Sequence, residues 1–100
     1  MSEQIRERLI GKMTDNLPVL RRKLGLNQDE LGQLVGVSRS TLATIETHKH
    51  AMSWNLFLSL VLIFSKNKET EKLMNALEIG SGELDSLIAG PVSGEKTSET

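Results

Sequence analysis

Cysteine is absent from this chain of 100 residues, and aromatic residues are scarce. Without cysteine the chain forms neither a disulfide framework nor a thiolate metal site, which fits the reducing cytoplasm. Only Trp54, Phe57 and Phe64 are aromatic, so the core must be largely aliphatic. Long hydrophobic runs are also missing: the longest, 60–64, is far shorter than the roughly 20 apolar residues that cross a bilayer. The charged start of the chain lacks the apolar segment of a signal peptide, so we expect a cytoplasmic protein without membrane contact.

An excess of charge of one sign is missing too, since the net charge is −1. The distribution is uneven: residues 1–52 hold eight Lys or Arg and six Asp or Glu, whereas residues 53–100 hold four and seven. No Ser/His/Asp set, glycine-rich phosphate loop or carboxylate cluster is present, so we do not expect an enzyme. Two histidines, His48 and His50, without cysteine make a poor metal site, and we expect no metal and no cofactor.

Apolar residues recur at helical spacing, and no stretch alternates as a strand does. This pattern predicts an all-α domain of five helices, followed by a short C-terminal helical turn and a disordered tail. Residues 1–13 form an amphipathic segment in which Ile5, Leu9 and Met13 serve the core or a dimer contact. The main domain is expected at 14–80, the helical segment at 81–90 and the tail at 91–100. Its first helix is predicted to start near Thr14 or Asp15, with Pro18 in its first turn.

The middle of the chain contains two short helices with clear caps. Asn27 and Glu30 have the spacing of a capping box, and the face of the helix that follows is expected at Leu31, Leu34 and Val35. Gly36 then permits a left-handed turn, and Ser38 caps the next helix, whose inward residues are Leu42 and Ile45. A steep helix-turn-helix between about residues 27 and 47 follows from this arrangement.

Two further helices are expected after this pair. Ser53 caps the fourth, roughly 54–64, which is apolar on most sides and belongs in the middle of the core. The fifth follows a turn at 66–68 and is predicted to extend to Gly80 and Gly82. Beyond it, Leu84, Leu87 and Ile88 are apolar residues available for a dimer contact.

The third helix leaves small polar residues and an arginine outside its core-facing side, which suits the major groove of DNA. Arginine can bind guanine through two hydrogen bonds, and hydroxyl groups can serve base edges or phosphates. Free N–H groups at the start of the second helix favour a phosphate near Gln28. Lys49 lies in the polar loop after the third helix, where phosphates would be close. The candidate DNA-binding residues are Gln28, Ser38, Arg39, Ser40, Thr41, Thr44 and Lys49.

The sequence resembles the helix-turn-helix family of phage repressors, Cro proteins and Xre-type regulators across about residues 15–64. The resemblance rests on Leu20-Arg21, Gly25-Leu26-Asn27-Gln28-Asp29-Glu30-Leu31, Val35-Gly36-Val37-Ser38-Arg39-Ser40-Thr41-Leu42 and Ile45-Glu46. It implies that Gln28 anchors a phosphate, that Arg39, Ser40 and Thr44 face bases, and that Arg21 and Glu46 form a structural ion pair. The chain departs from the family pattern at three positions: Gly32 replaces the usual alanine, His48 a glycine and Met52 a proline.

The resemblance implies a transcription regulator, with a small repressor as the leading hypothesis and double-stranded DNA and a second copy of the chain as partners. A single module has a small DNA interface, which favours a homodimer on a two-fold operator. The alternative is the antitoxin of a toxin–antitoxin pair, in which residues 66–90 would contact a toxin protein. A protein-interaction module that has lost DNA binding is a third possibility.

Overall fold

The computed structural model describes residues 2–79, which form five α-helices and no strand. This confirms the predicted all-α class. The predicted segments at 81–90 and 91–100 lie outside the described residues. No described helix is both long and apolar enough to cross a membrane. The helices are α1 (Ser2–Lys23), α2 (Gln28–Val35), α3 (Arg39–Glu46), α4 (Trp54–Ser65) and α5 (Lys68–Ala76).

The first helix is continuous, so the predicted break near Thr14 or Asp15 is wrong. Pro18 lies inside α1 rather than in the first turn of a new helix. The Thr14 hydroxyl donates to the Ile10 carbonyl, 2.7 Å away, as a residue within a helix does. The proline removes one backbone donor, but an unbroken apolar face passes through that point and is buried on both sides of it. Its fully buried members are Leu9, Met13, Leu17 and Leu20.

The core lies between α1 and the other four helices. α4 supplies its fully buried centre with Phe57, Leu60 and Phe64, as its apolar composition predicts. Leu9 is fully buried there and Ile5 packs against the cluster, so of the two roles expected for these residues the structure shows the core. Leu9 is thereby excluded as a dimer contact.

The predicted inner face of α2 and the predicted end of α5 are also wrong. Leu34 was expected on the inner face of α2, but it is 57% exposed, because α2 turns Leu31 and Gly32 inward instead. α5 ends at Ala76, before either glycine that was expected to stop it. The chain reverses at Glu78, whose φ of 61° is left-handed, and the N–H of Ile79 bonds back to the Met74 carbonyl at 2.8 Å.

Candidate nucleic-acid interface

The turn between α2 and α3 is held by caps at both of its ends. Gly36 has a φ of 79°, and its N–H donates to the Gly32 carbonyl at 2.8 Å. Ser38 then accepts the N–H of Thr41 on its hydroxyl at 3.0 Å and so begins α3. At the far end of α2 both hydrogen bonds of the predicted capping box between Asn27 and Glu30 are present, at 2.7 and 2.9 Å.

Gly32 allows the turn to lie directly on α2. A Cβ atom at this position would lie 2.5 Å from the carbonyl oxygen of Val37, closer than real Cβ contacts come. The missing side chain therefore sets how closely the start of α3 approaches α2. The neighbouring atom belongs to the backbone, so it cannot move aside as the end of a flexible side chain can.

α3 has one buried side and one that is open to solvent. Leu42 is fully buried and Ile45 nearly so, whereas Arg39 and Ser40 are exposed and Thr41 and Thr44 are half-buried. The side chain of Arg39 has no hydrogen bond or ion pair with any residue of the described part of the chain. Its five guanidinium donors are therefore available to a ligand.

The hydroxyl groups of α3 are partly used inside the helix. Ser38 donates to the Thr41 hydroxyl at 2.9 Å, and Thr44 donates to the Thr41 carbonyl at 2.9 Å. A hydroxyl that donates within the protein keeps acceptor capacity on its oxygen. Ser38 and Thr44 are thus placed to accept hydrogen bonds from base amino groups or water rather than to donate to phosphates.

A buried polar network connects α1, α2 and α3. The Arg21 guanidinium donates to Glu46 through Nε at 2.8 Å and Nη2 at 3.2 Å, and through Nη1 to the Leu26 carbonyl at 3.1 Å. The Arg21 side chain is 11% exposed and that of Glu46 5%. The pair fastens the end of α3 to the end of α1, and so fixes the angle at which α3 is presented.

Gln28 belongs to the same network, which sequence reasoning missed. Its Nε2 donates to Glu46 Oε1 at 3.0 Å, whereas its position suggested a phosphate contact alone. Asp29 and Glu30 lie in the same first turn of α2, where their carboxylates compete with a phosphate for the positive helix end. The capping-box residue Glu30 indicates this competition in the sequence. No neighbouring residue indicates the bond from Gln28 to Glu46.

Lys49 lies in the exposed loop that follows α3. Its backbone N–H bonds to the Thr44 carbonyl at 2.8 Å, so the loop continues directly from the end of α3. His48, where the family pattern has glycine, adopts a left-handed φ of 65°, and its Nε2 lies 3.5 Å from Asp15. The described residues contain no cluster of three potential metal ligands.

Comparison with known proteins agrees with this geometry. A family model described as helix-turn-helix matches residues 20–51, from the end of α1 to the loop after α3. The chain is also similar to an uncharacterized HTH-type transcriptional regulator of Bacillus subtilis (strain 168), YgzD. The two are 37% identical over 57 residues, which cover 57% of this chain and 86% of that protein. No solved structure matches the chain.

The chain therefore belongs to the helix-turn-helix family of transcriptional regulators. This is a family of DNA-binding transcription regulators and not of enzymes.

Proposed function

We propose that the protein is a sequence-specific repressor that reads the major groove of double-stranded DNA with α3. The observation that carries the proposal is the exposed, unpartnered Arg39 at the first position of a helix whose opposite side is fixed in the core. The major groove admits an α-helix, and its guanine edges offer the two acceptors that a guanidinium fits. A domain that occupies a site in this way acts most simply by excluding other proteins from it.

The remaining contacts are divided between bases and phosphates. Ser40 is exposed beside Arg39, and Thr41 and Thr44 lie on the same open side, so these residues are assigned to base edges. Lys49 is assigned to phosphates, which position the domain without reading sequence. Ser38 is assigned to a contact in which its hydroxyl oxygen accepts, because its hydrogen is bonded to Thr41. One of the two Nε2 hydrogens of Gln28 is bonded to Glu46, so Gln28 can donate to a phosphate only through the second hydrogen or by releasing Glu46, and its contribution is expected to be smaller.

A two-fold operator is part of the proposal. One recognition helix reads few base pairs, and a single small module buries about 600–1,000 Å² on DNA. Two copies whose α3 helices lie about 34 Å apart would bind successive major grooves on one face of the duplex. We therefore propose a homodimer as the DNA-binding form.

The test begins with selection of bound duplexes from a random pool, which returns the site and its symmetry. Arg39→Ala is then measured against every single-base variant of that site. We expect a loss of about 1–3 kcal/mol on the native site and a relaxed preference at one base pair of each half-site. Lys72→Ala, which removes a positive charge from an exposed position on α5, is the control and should leave every preference unchanged. If Arg39→Ala weakens binding equally at all positions, Arg39 does not read bases.

A further inference from the structure

The outward side of α4 is an apolar surface without charge. α4 is the only one of the five described helices that contains no Asp, Glu, Lys or Arg. A helix that is apolar all round is normally buried on all sides. Here Leu62 is 58% and Leu58 36% exposed, one turn apart, and Asn55 is exposed a turn before them. Two of the four exposed large hydrophobic side chains in the described residues thus share one stripe.

We infer that this stripe, Asn55, Leu58 and Leu62, is the surface through which two copies of the chain pair. The inference rests on the proposed function, because the two-fold symmetry comes from the proposed homodimer on DNA. The stripe is the interface that this homodimer needs. In a two-fold dimer a surface meets itself, so a charge near the symmetry axis faces the same charge on the partner. A stripe with no charged residue avoids this repulsion, and its leucines can interdigitate with their own copies.

A second copy fits the stripe better than the remaining chain does. Residues 80–100 carry four acidic residues and one lysine, and α4 offers no cation to attract them. The stripe is also short, since a helix of 12 residues is only about 18 Å long. Specific stable interfaces bury about 1,200–2,000 Å². Pairing through α4 alone is therefore expected to be weak, with a dissociation constant in the micromolar range. Binding of both copies to one DNA site would strengthen it.

The position of α4 leaves the recognition helix free. α4 packs mainly on α1, α2 and α5, whereas α3 packs on α1 and α2. The exposed residues of α3 and the stripe on α4 thus lie on different helices. We therefore expect that both surfaces are occupied in one complex, as a dimer on a two-fold site requires.

The experiment measures the mass of the full chain by sedimentation equilibrium across the micromolar range. We expect a monomer–dimer equilibrium whose dissociation constant rises about tenfold or more in Leu58→Glu/Leu62→Glu, a loss of at least about 1.4 kcal/mol. Val19→Glu, at a 43% exposed position on α1, is the matched control and should dimerise as the unaltered chain does. Mixing the double glutamate variant with Leu58→Lys/Leu62→Lys should restore a dimer, because opposite charges then face each other in either register. Restored pairing cannot come from misfolded chains.

Three results would overturn the inference: a chain that stays monomeric at high micromolar concentration, α4 variants that dimerise normally, or a dimer abolished by Leu87→Glu alone. The last result would move the interface to the C-terminal segment. The double glutamate variant is expected to lose affinity for the two-fold site while it keeps the base preferences of a half-site. A selection that returns no preferred sequence would instead refute the proposed function, so the two failures are distinguishable.

Discussion

Two glycines lie inside helices, and their surroundings are opposite. Gly11 of α1 has open space where a Cβ would be, with no atom within 4 Å. Gly32 of α2 has the Val37 carbonyl oxygen at 2.5 Å from that position. Glycine costs a helix interior roughly 0.5–1 kcal/mol relative to alanine. Substitution by alanine therefore gains the same helix propensity at both sites, but it causes a collision with the backbone only at Gly32.

We predict that Gly11→Ala raises the free energy of unfolding by about 0.5–1 kcal/mol. Gly32→Ala should lower it by about 1–3 kcal/mol, because overpacking against a backbone carbonyl exceeds the gain in helix propensity. Urea unfolding followed by the helical circular dichroism signal measures both. A Gly32→Ala chain as stable as Gly11→Ala would mean that the turn after α2 moves aside at no cost.

At the scale of elements, the pair Arg21–Glu46 connects two helices far apart in sequence. Both side chains are nearly buried, and the guanidinium satisfies three acceptors at once. A buried ion pair is weak evidence for net stability, because removing two charges from water offsets their attraction. Losing one partner is different, since the other charge is then left buried and unpaired.

We predict that Glu46→Ala lowers the free energy of unfolding by about 3–5 kcal/mol. The double variant Arg21→Met/Glu46→Leu should be more stable than either single variant, because it leaves no unpaired buried charge. Its DNA affinity should still fall, since α3 loses the polar contacts that hold its end against α1. Urea unfolding and DNA titration of Glu46→Ala, the double variant and its two single variants separate the two effects. A double variant as unstable as Glu46→Ala would contradict this account.

The elements that sequence predicts well here are those decided locally. The caps at Asn27, Ser38 and Ser53 and the left-handed Gly36 depend on neighbouring residues, and each lies where the sequence places it. The continuity of α1 depends instead on distant burial, which outweighs the local signal of Pro18.

The candidate site likewise contains some features that are decided locally and others that depend on packing. The exposure of Arg39 follows from the helical period, so sequence alone finds it. The bond from Gln28 to Glu46 joins residues 18 positions apart, and it exists only once α2 and α3 have packed. The exposed stripe on α4 is invisible in the sequence for the same reason, because composition shows an apolar helix but not which side stays uncovered.

At the scale of the whole molecule, charge is distributed against DNA binding. Residues 80–100 contain Glu83, Asp85, Glu95 and Glu99 against a single lysine, so a net charge of −3 is tethered to the DNA-binding domain. Non-specific affinity for DNA comes almost entirely from cations near phosphates. Tethered carboxylates oppose it through the field that they add, and salt screens that field over about 10 Å at 0.1 M.

We predict that replacing these four carboxylates by their amides strengthens binding to unrelated DNA by roughly fivefold at low salt. The change moves the net charge from −1 to +3 without altering any described residue. Because the effect is a long-range field and not a base contact, it should act equally on all sequences. The ratio of specific to non-specific affinity should then stay constant, and the gain should disappear as salt rises. Titration of fluorescent duplexes over a salt series measures both quantities. A gain that persists at high salt, or one confined to the selected site, would show that these residues act by contact with the recognition surface and not through their charge at a distance.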